Sequence, residues 1–403
     1  MTVGGVGAGT GQTLYNLNGT IRDRVWRMAL AVGGFLRGRG RMVRVAAFTL
    51  AGLITGTAAF AQDEPAPRKW RVDIVAGLSR FELPTDGTAA LPSPGPNLTT
   101  SSPVNPSRKV PTWFLGDGAS LVNGVNQEFG VVARLTPLDA ALSRIGIGGA
   151  NAPQFGVRLG RDLGERWALE FGVEFLAGAA DIDPALREAA EASVTSFTPA
   201  FQALLTTGPF SGAEVSSSLS QANATSRELA FTGALRFQVL SGATQPYLTL
   251  GGGLISRVGA LPSLTLTGRY KFTVTPGLLT VIVPFEESDT LTIRFEQGTS
   301  VVGFAGAGVR HRINERLSLV VDGRAYLGRN TMNLRLDSAP KVTTGAPAGF
   351  IESFTTPAIQ FSNATSTGRE SSLSGTPLTG FKAFTTSGAQ VRWSVTAGVA
   401  VRF

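Results

Sequence analysis

Strict two-residue alternation of apolar and polar side chains marks eight segments of this chain. Residues 391–403 read VRWSVTAGVAVRF, in which every odd-numbered residue is apolar. Such alternation places the two kinds of side chain on opposite faces of a β-strand and predicts half-buried strands. The eight segments are 69–81, 155–163, 167–178, 227–240, 246–257, 301–313, 317–328 and 391–403.

The connections between these segments are alternately short and long. Three are the short stretches GER, SGATQ and NER, which have the length of hairpin turns. The others are the long segments 84–153, 178–226, 259–300 and 329–388. Transmembrane β-barrels show this alternation because their periplasmic turns are short and their extracellular loops are long. The pattern therefore predicts an all-β fold over 69–403, an eight-stranded antiparallel up-and-down transmembrane β-barrel with long extracellular loops.

A ten-stranded barrel is the alternative, because two further stretches, 263–274 and 290–297, also alternate. They flank the apolar stretch 277–285 and fit either a hairpin above the membrane or two additional wall strands. The second arrangement makes that apolar stretch a periplasmic connection much longer than the other turns, so eight strands are preferred. An exposed apolar hairpin tip would suggest contact with a partner, lipid or another loop.

Charged residues of both signs share the polar face of the predicted strands. A barrel in lipid is apolar outside and pairs all its backbone groups. An eight-stranded barrel is wide enough only to be filled by its side chains. We therefore expect a lumen closed by salt bridges rather than an open pore. The predicted lumen residues are Arg71, Asp73, Arg158, Glu170, Glu174, Arg236, Arg310, Asp322, Arg324 and Arg392.

The net charge of +8 is concentrated at the amino end. Residues 1–61 carry seven Arg and one Asp, which leaves only a small positive excess over the remaining chain. The basic balance therefore does not indicate a nucleic-acid partner.

A cleavable secretory signal peptide is expected within that basic segment. An apolar run follows Arg44 and ends at the small residues Ala59 and Ala61, which fit a cleavage site. A membrane anchor is the alternative, but the run is short and interrupted by Thr and Gly. We expect a natural start at Met42 and a short periplasmic segment over 62–68.

Candidate chemistry is sparse. The chain has no Cys and a single His, which excludes disulfides and Cys-ligated metals and predicts no cofactor. A lipid A-modifying barrel enzyme would need a base beside its nucleophile. His311 is the one candidate, yet its parity places it on the lipid-facing side beside a periplasmic turn. The sequence therefore predicts a non-enzymatic protein.

The strands and hairpins resemble those of the small eight-stranded outer-membrane barrels, the group of the OmpA transmembrane domain, OmpX and opacity-type surface antigens. The stretches FGVRLGRDLGERWALEFGVEF and GAGVRHRINERLSLVVDGRAYLG carry this resemblance. Thr396, Gly398, Val401 and Phe403 resemble the carboxy-terminal signal read by the barrel assembly machinery, although that signal prefers an aromatic residue where Val401 stands. The resemblance implies a bacterial outer-membrane location in contact with lipopolysaccharide. The peptidoglycan-binding domain of OmpA is not expected here.

The long loops carry three local predictions. Asp183 and Pro184 fit the cap and first turn of a short helix. Residues 91–107 are rich in Pro, Ser and Thr and are expected to be flexible. Trp113, Phe114 and Leu115 are expected to fold back on the barrel mouth.

The function expected overall is a structural or surface-interaction role, with an extracellular partner bound through the loops. The alternative is a narrow channel or transporter for small or apolar molecules.

Overall fold

The computed structural model describes residues 69–82, 86–98, 107–149, 151–177, 180–207, 210–222, 227–274, 283–344, 353–355, 359–362 and 371–403. The expected leader over 1–61, its cleavage site at Ala59 and Ala61, and segment 62–68 lie outside the described residues and remain predictions.

The fold is all-β and antiparallel, with helices in the connections. In chain order the strands are β1 (Trp70–Glu82), β2 (Gly87–Ala89), β3 (Ile147–Gly149), β4 (Asn151–Asp162), β5 (Trp167–Ala177), β6 (Ala180–Ile182), β7 (Phe210–Ala222), β8 (Arg227–Gln238), β9 (Thr244–Arg257), β10 (Ser263–Val274), β11 (Val283–Gln297), β12 (Ser300–Arg312), β13 (Leu317–Ser338), β14 (Lys341–Thr344), β15 (Ser353–Thr355), β16 (Gln360–Ser362) and β17 (Phe381–Arg402). The helices are α1 (Gly116–Glu128) and α2 (Pro184–Leu205), with short 3-10 turns at Ala141–Ser143 and Ser372–Ser374.

The eight predicted segments are all strands, and their ladder pairings form a ring. In the order β1, β4, β5, β8, β9, β12, β13 and β17, each strand pairs antiparallel with the next. β17 then pairs back with β1, from Arg71 opposite Arg402 to Glu82 opposite Val391. We call these eight the ring strands, and their inward-facing side chains form the ring interior.

The short connections lie together at one end of the ring, which we call the turn end; the long connections leave from the loop end. The Leu163 N–H donates to the Trp167 carbonyl at 2.9 Å, and the Ile313 N–H donates to the Leu317 carbonyl at 2.9 Å. The Asn314 side chain also accepts from the Leu317 N–H at 2.7 Å, as turn Asn residues do. Local turn chemistry therefore sets the register of these hairpins.

The outward face of the ring strands is apolar and exposed. Leu250 is 69% exposed, Val395 63% and Leu327 61%. These are the residues that period-two alternation places opposite the charged face. Water does not favour so continuous an apolar surface, so a lipid or protein environment is required to cover it. Other exposed members are Ile74, Phe155, Phe171, Phe231, Leu248, Val309, Leu319 and Trp393.

The loop end carries a second sheet, of which the sequence predicted only the hairpin of 263–274 and 290–297. β13 and β17 continue past the ring and pair with each other as far as Leu336 and Phe381. β11 pairs with this extension of β13, β10 pairs with β11, and β7 pairs with β10. The prediction of a loop over the whole of 329–388 is therefore wrong at both ends. The strands continue because Met332 and Leu334 are buried there.

The hairpin of β10 and β11 favours the eight-strand alternative over the ten-strand one. β9 pairs directly with β12, which leaves no place between them for further wall strands. At the hairpin tip, residues 275–282 lie outside the described residues. Phe285 is buried and stacks on Phe272 at 5.1 Å between ring centroids. The prediction of an exposed apolar tip is therefore wrong at Phe285.

Both helices pack at the loop end. α2 begins at Pro184, and the Asp183 carboxylate accepts from the Ala185 N–H at 2.8 Å, so the predicted cap is present. The helix is 22 residues long rather than short because its apolar side chains bury against the second sheet. None of the helices among the described residues is long and apolar enough to cross a membrane.

The second sheet, the two helices and 107–149 share a large apolar core, and we call this assembly the cap. Trp113 and Phe114 are fully buried in it, against Phe201 and Phe197 of α2. We expected Trp113 and Phe114 to fold back on the barrel mouth. They are instead buried inside the cap. Aromatic side chains contribute strongly to this core because each buries a large apolar area.

The segment predicted to be flexible is ordered in the parts that are described. Asn97 and Arg108 form an isolated bridge, and Leu98 is buried. The Leu98 N–H donates to the Ser107 carbonyl at 2.7 Å. Residues 99–106 lie outside the described residues. The Pro- and Ser-rich composition of 91–107 therefore does not prevent its two ends from pairing at the cap.

Candidate functional site

Buried charged side chains fill the ring interior, and Glu170 is their hub. Its carboxylate lies 2.6 Å from Arg324 Nη2, 3.6 Å from Arg71 Nη2 and 3.9 Å from Arg158 Nε, and it accepts a bond from Arg236. All five side chains are nearly inaccessible to solvent. Burial is tolerated because each charge has partners of opposite sign and several hydrogen bonds.

Several of these contacts cross the ring interior from one wall to the other. Glu170 on β5 and Arg324 on β13 lie four strands apart in the eight-strand pairing order, so they come from opposite sides. Tyr326 on β13 likewise donates to Glu174 on β5 at 3.1 Å. Direct bonds between opposite walls mean that side chains, rather than a water column, occupy the interior at these levels.

A third crossing level lies nearer the loop end. Arg392 on β17 donates to Glu228 on β8, again four strands away in the pairing order. Arg257 reaches the other oxygen of Glu228 at 3.0 Å. The interior is therefore bridged at more than one depth.

Small residues make room for this network. A Cβ on Gly160 would lie 2.5 Å from the guanidinium carbon of Arg71, and a Cβ on Gly308 would lie 2.5 Å from the ring of Tyr247. These glycines are needed because large side chains approach the backbone closely. The sequence pattern of small and charged residues on the same face thus has a steric reason.

The ten predicted lumen residues are all buried in the ring interior. Nine make ion pairs in the described part of the chain; Arg158, for example, lies 2.7 Å from both Asp322 and Glu174. Arg310 makes no ion pair with any described residue. Sequence reasoning missed Tyr247, which donates to Asp322 at 3.2 Å, although parity with its outward neighbour Leu248 indicates an inward side chain.

The residues of the predicted assembly signal lie along the seam of β17 and β1. The Trp70 and Phe403 backbones exchange hydrogen bonds, at 2.9 and 3.3 Å, which pair the ends of the two strands. Gly398 lies opposite Val75, and Thr396 donates to Asp322 at 2.9 Å inside the ring. Val401 and Phe403 face outward and are exposed. Recognition by an assembly machinery remains a prediction.

A second polar cluster lies inside the cap, and sequence reasoning did not identify it. Asp289 accepts from Thr112 Oγ1 at 2.8 Å and from the Trp113 N–H at 2.6 Å. Glu287, two residues away on the same face of β11, accepts from Tyr270. Burial raises the pKa of Glu287 to about 7 and the pKa of Asp289 to about 7. The alternation of β11 signals a buried face, but only the cap packing shows that carboxyls lie on it.

The isolated histidine has an ordinary surface environment. His311 is exposed on the outward side of β12, and its Nδ1 lies 2.9 Å from Thr244 Oγ1. The next inward-facing residues, Arg310 and Arg312, offer no nucleophile. Among the described residues, no group of three or more His, Asp or Glu side chains is placed to hold a metal ion.

Neither a protein-family model nor a curated protein matches the sequence. Solved structures similar to the chain include a major outer membrane protein from Thermus thermophilus, at 13% identity and a TM-score of 0.26, covering 63% of this chain and 93% of that one. The outer membrane protease OmpT from Escherichia coli has 10% identity and a TM-score of 0.25, covering 84% and 98%. An outer membrane channel from Pseudomonas putida has 9% identity and a TM-score of 0.20, covering 84% and 98%. These scores are too low to transfer fold or function, so the assignment rests on the chain itself.

Proposed function

We propose that residues 69–403 form an eight-stranded β-barrel of the bacterial outer membrane, with an occluded lumen and a folded extracellular cap. Its role is structural and in surface interaction, and it is not an enzyme. The observation that carries this proposal is the 2.6 Å contact between Glu170 and Arg324, which joins opposite walls of the ring. A barrel bridged in this way is a rigid support rather than a wide channel.

The apolar outer face supports the membrane location. A spanning structure must pair its backbone groups and present apolar side chains to lipid, and the ring strands do both. The turn end then faces the periplasm and the cap faces the outside, since turns are short on the periplasmic side. Lipopolysaccharide would contact the outward apolar band, and the assembly machinery would bind the final strand.

The cap is the part suited to an extracellular partner. Its outer surface carries exposed ion pairs, including Arg269 with Glu286 and Arg294 with Asp337 at 2.5 Å. Charged surface pairs are highly hydrated, so a partner on this face would be polar and its binding would weaken with salt.

Conductance measurement tests the occluded lumen. The folded protein in a planar lipid bilayer is expected to give no stable single-channel steps. The double variant Glu170→Ala/Arg324→Ala, which removes one bridge, serves as the comparison and is expected to raise the leak. Stable channels of the unmodified protein would contradict the occluded lumen and favour the channel or transporter alternative.

Protease treatment of intact cells tests the orientation. Cleavage is expected within the long connections, whereas the turns at 163–166, 239–243 and 313–316 are expected to be spared. Mass spectrometry of the outer-membrane fraction identifies the cut sites. Cleavage at those turns on intact cells, or absence of the chain from that fraction, would contradict the proposed topology.

A further inference from the structure

The interior near the turn end contains a buried arginine with unused hydrogen-bond donors. Arg310 on β12 is 6% exposed. Its Nε and Nη2 have no hydrogen-bond partner among the described residues. An arginine side chain stays protonated in proteins, so it cannot become neutral on burial. Its positive charge therefore requires compensation from another group.

The nearest charged neighbours of Arg310 do not supply that compensation. Two of them, Arg71 and Arg236, are themselves positive, and Asp73 is the carboxylate that faces all three. Asp73 is already shared, because it lies 3.6 Å from Arg71 Nε and 3.3 Å from Arg236 Nη2. Tyr247 also faces Arg310. The guanidinium carbon of Arg236 lies 4.1 Å from the centroid of the Tyr247 ring.

The other two guanidinium groups also have unused donors. Arg71 Nε and Nη2, and Arg236 Nε and Nη1, lack hydrogen-bond partners in the described part of the chain. Glu170 contacts both groups but is divided among four arginines. Asp162 contacts Arg71 at 2.8 Å and is shared with Arg402 at 3.0 Å. No nearby carboxylate is therefore left for Arg310.

Positive charge exceeds negative charge over the whole ring interior. Bound water would satisfy N–H donors but would not neutralise this excess, whereas an anion does both. The inward arginines with buried or half-buried side chains are Arg71, Arg158, Arg236, Arg257, Arg310, Arg324, Arg392 and Arg402, and the inward carboxylates are Asp73, Asp162, Glu170, Glu174, Glu228 and Asp322.

We propose that a small inorganic anion, a halide or a phosphate, binds among Arg310, Arg71 and Arg236 in the ring interior. These three guanidinium groups hold six nitrogens without a hydrogen-bond partner in the described part of the chain, and the anion would accept hydrogen bonds from them while cancelling part of the excess charge. The site is structural: it holds the turn end of the interior together. The inference rests on the enclosed interior of the proposed barrel, but not on its cellular location or role.

Thermal unfolding of the full-length folded protein in detergent tests the site. Bromide or phosphate is titrated against gluconate, a much bulkier organic anion, at constant ionic strength. The Tm is expected to rise and saturate with at least one of the two small anions. Arg310→Met is expected to lose this saturable rise. Arg312→Met is the matched control, because Arg312 lies on the same strand but is exposed, and it should respond as the unmodified protein does.

Crystals of the unmodified protein grown in bromide provide an independent test that needs no variant. An anomalous peak is expected within hydrogen-bond distance of Arg310 and at least one of its two arginine neighbours. If phosphate alone raised the Tm, crystals grown in phosphate would replace them. The proposal would be overturned if Arg310→Met and the unmodified protein showed an equal rise in Tm, or if neither small anion raised the Tm more than gluconate. Crystals without density for an anion at this position would also overturn it. Channel activity or a different cellular location would change neither the Tm response nor the anomalous peak. Failure of the proposed function can therefore be distinguished from failure of the anion site.

Discussion

At the scale of single residues, Glu170 joins more guanidinium groups than any other described carboxylate of the ring interior. Its one carboxylate contacts four guanidinium groups, and none of the five side chains reaches solvent appreciably. Replacing it would leave several buried positive charges with fewer partners. A buried ion pair is weak evidence for net stability, but breaking one is strongly destabilising.

Glu170→Gln is expected to lower the free energy of unfolding by about 3–5 kcal/mol, because the change leaves uncompensated buried charge. Urea unfolding of the refolded protein in micelles measures the loss. Glu286→Gln is the matched control: its carboxylate pairs with the exposed Arg269, and a loss below about 1 kcal/mol is expected. Similar losses in the two variants would show that uncompensated charge in the ring interior costs no more stability than the loss of an exposed ion pair.

At the scale of elements, the seam between β1 and β17 depends on glycine. Cβ atoms on Gly77 and Gly398 would lie 1.9 Å from the Val395 carbonyl oxygen and 2.0 Å from the Ile74 carbonyl oxygen. The two strands therefore pair only because these positions lack side chains. Gly398 thus has a steric role in addition to any part in an assembly signal.

Gly398→Ala is expected to reduce the yield of folded protein, since the added methyl group collides with the backbone of β1. Refolding into detergent without any assembly machinery, followed by gel mobility with and without heating, measures the folded fraction. Ala397→Val is the control, because Ala397 faces outward and is exposed. An unchanged yield for Gly398→Ala would limit the role of this residue to recognition by the machinery.

Within the cap, β11 introduces a dependence on pH. Glu287 and Asp289 are buried, and their Oε1 and Oδ1 atoms have no partner among the described residues. Tyr270 and Ser371 hydrogen-bond Glu287, and Thr112 and the Trp113 backbone hydrogen-bond Asp289. Burial raises the pKa of both carboxyls to about 7, so the folded cap binds more protons than the unfolded chain between roughly pH 4 and 7.

The free energy of unfolding of the cap is therefore expected to fall as the pH rises through that window. With the other tryptophans changed to Phe so that emission reports on Trp113, the urea midpoint should be lower at pH 8 than at pH 5. The double variant Glu287→Gln/Asp289→Asn should abolish most of the difference, whereas Glu286→Gln should keep it. A midpoint that rose with pH in the unmodified protein would contradict the expected direction.

At the scale of the whole molecule, the ring strands and the cap place their tryptophans in different environments. Trp70, Trp167 and Trp393 lie on the outward face of the ring and are about half exposed. Trp113 is fully buried in the cap, where its Nε1 donates to Tyr270 Oη at 3.2 Å. In the proposed membrane position, the first three would meet lipid and Trp113 would not.

Brominated lipids are expected to quench the wall tryptophans but not Trp113. Variants of the mature chain that keep one tryptophan each, with the others changed to Phe, separate the signals in reconstituted bilayers. Quenching of Trp393 but not of Trp113 is the result expected from the proposed membrane position. Equal quenching of the two would place the cap in the bilayer and contradict the topology.

The amino-acid sequence was sufficient to predict the antiparallel all-β fold, the short turns and the two faces of the ring strands, although β13 and β17 are longer than predicted. These are local properties, because the parity of a residue in an alternating strand decides its face whatever the strand pairs with. The helix start at Asp183 and Pro184 was predictable for the same reason. It depends on the chemistry of adjacent residues.

Which groups meet depends on the tertiary structure. Glu170 and Arg324 are 154 residues apart, and their contact exists because opposite strands of a ring bring them together. Asp289 and Thr112 are 177 residues apart, and nothing local indicates their pairing. The sequence predicted the hairpin of β10 and β11 in the cap, but not its pairing with β7 and β13. Those pairings join separate long connections, so nothing local indicates them. The unpaired Arg310 is likewise visible only once its neighbours in the ring interior are known.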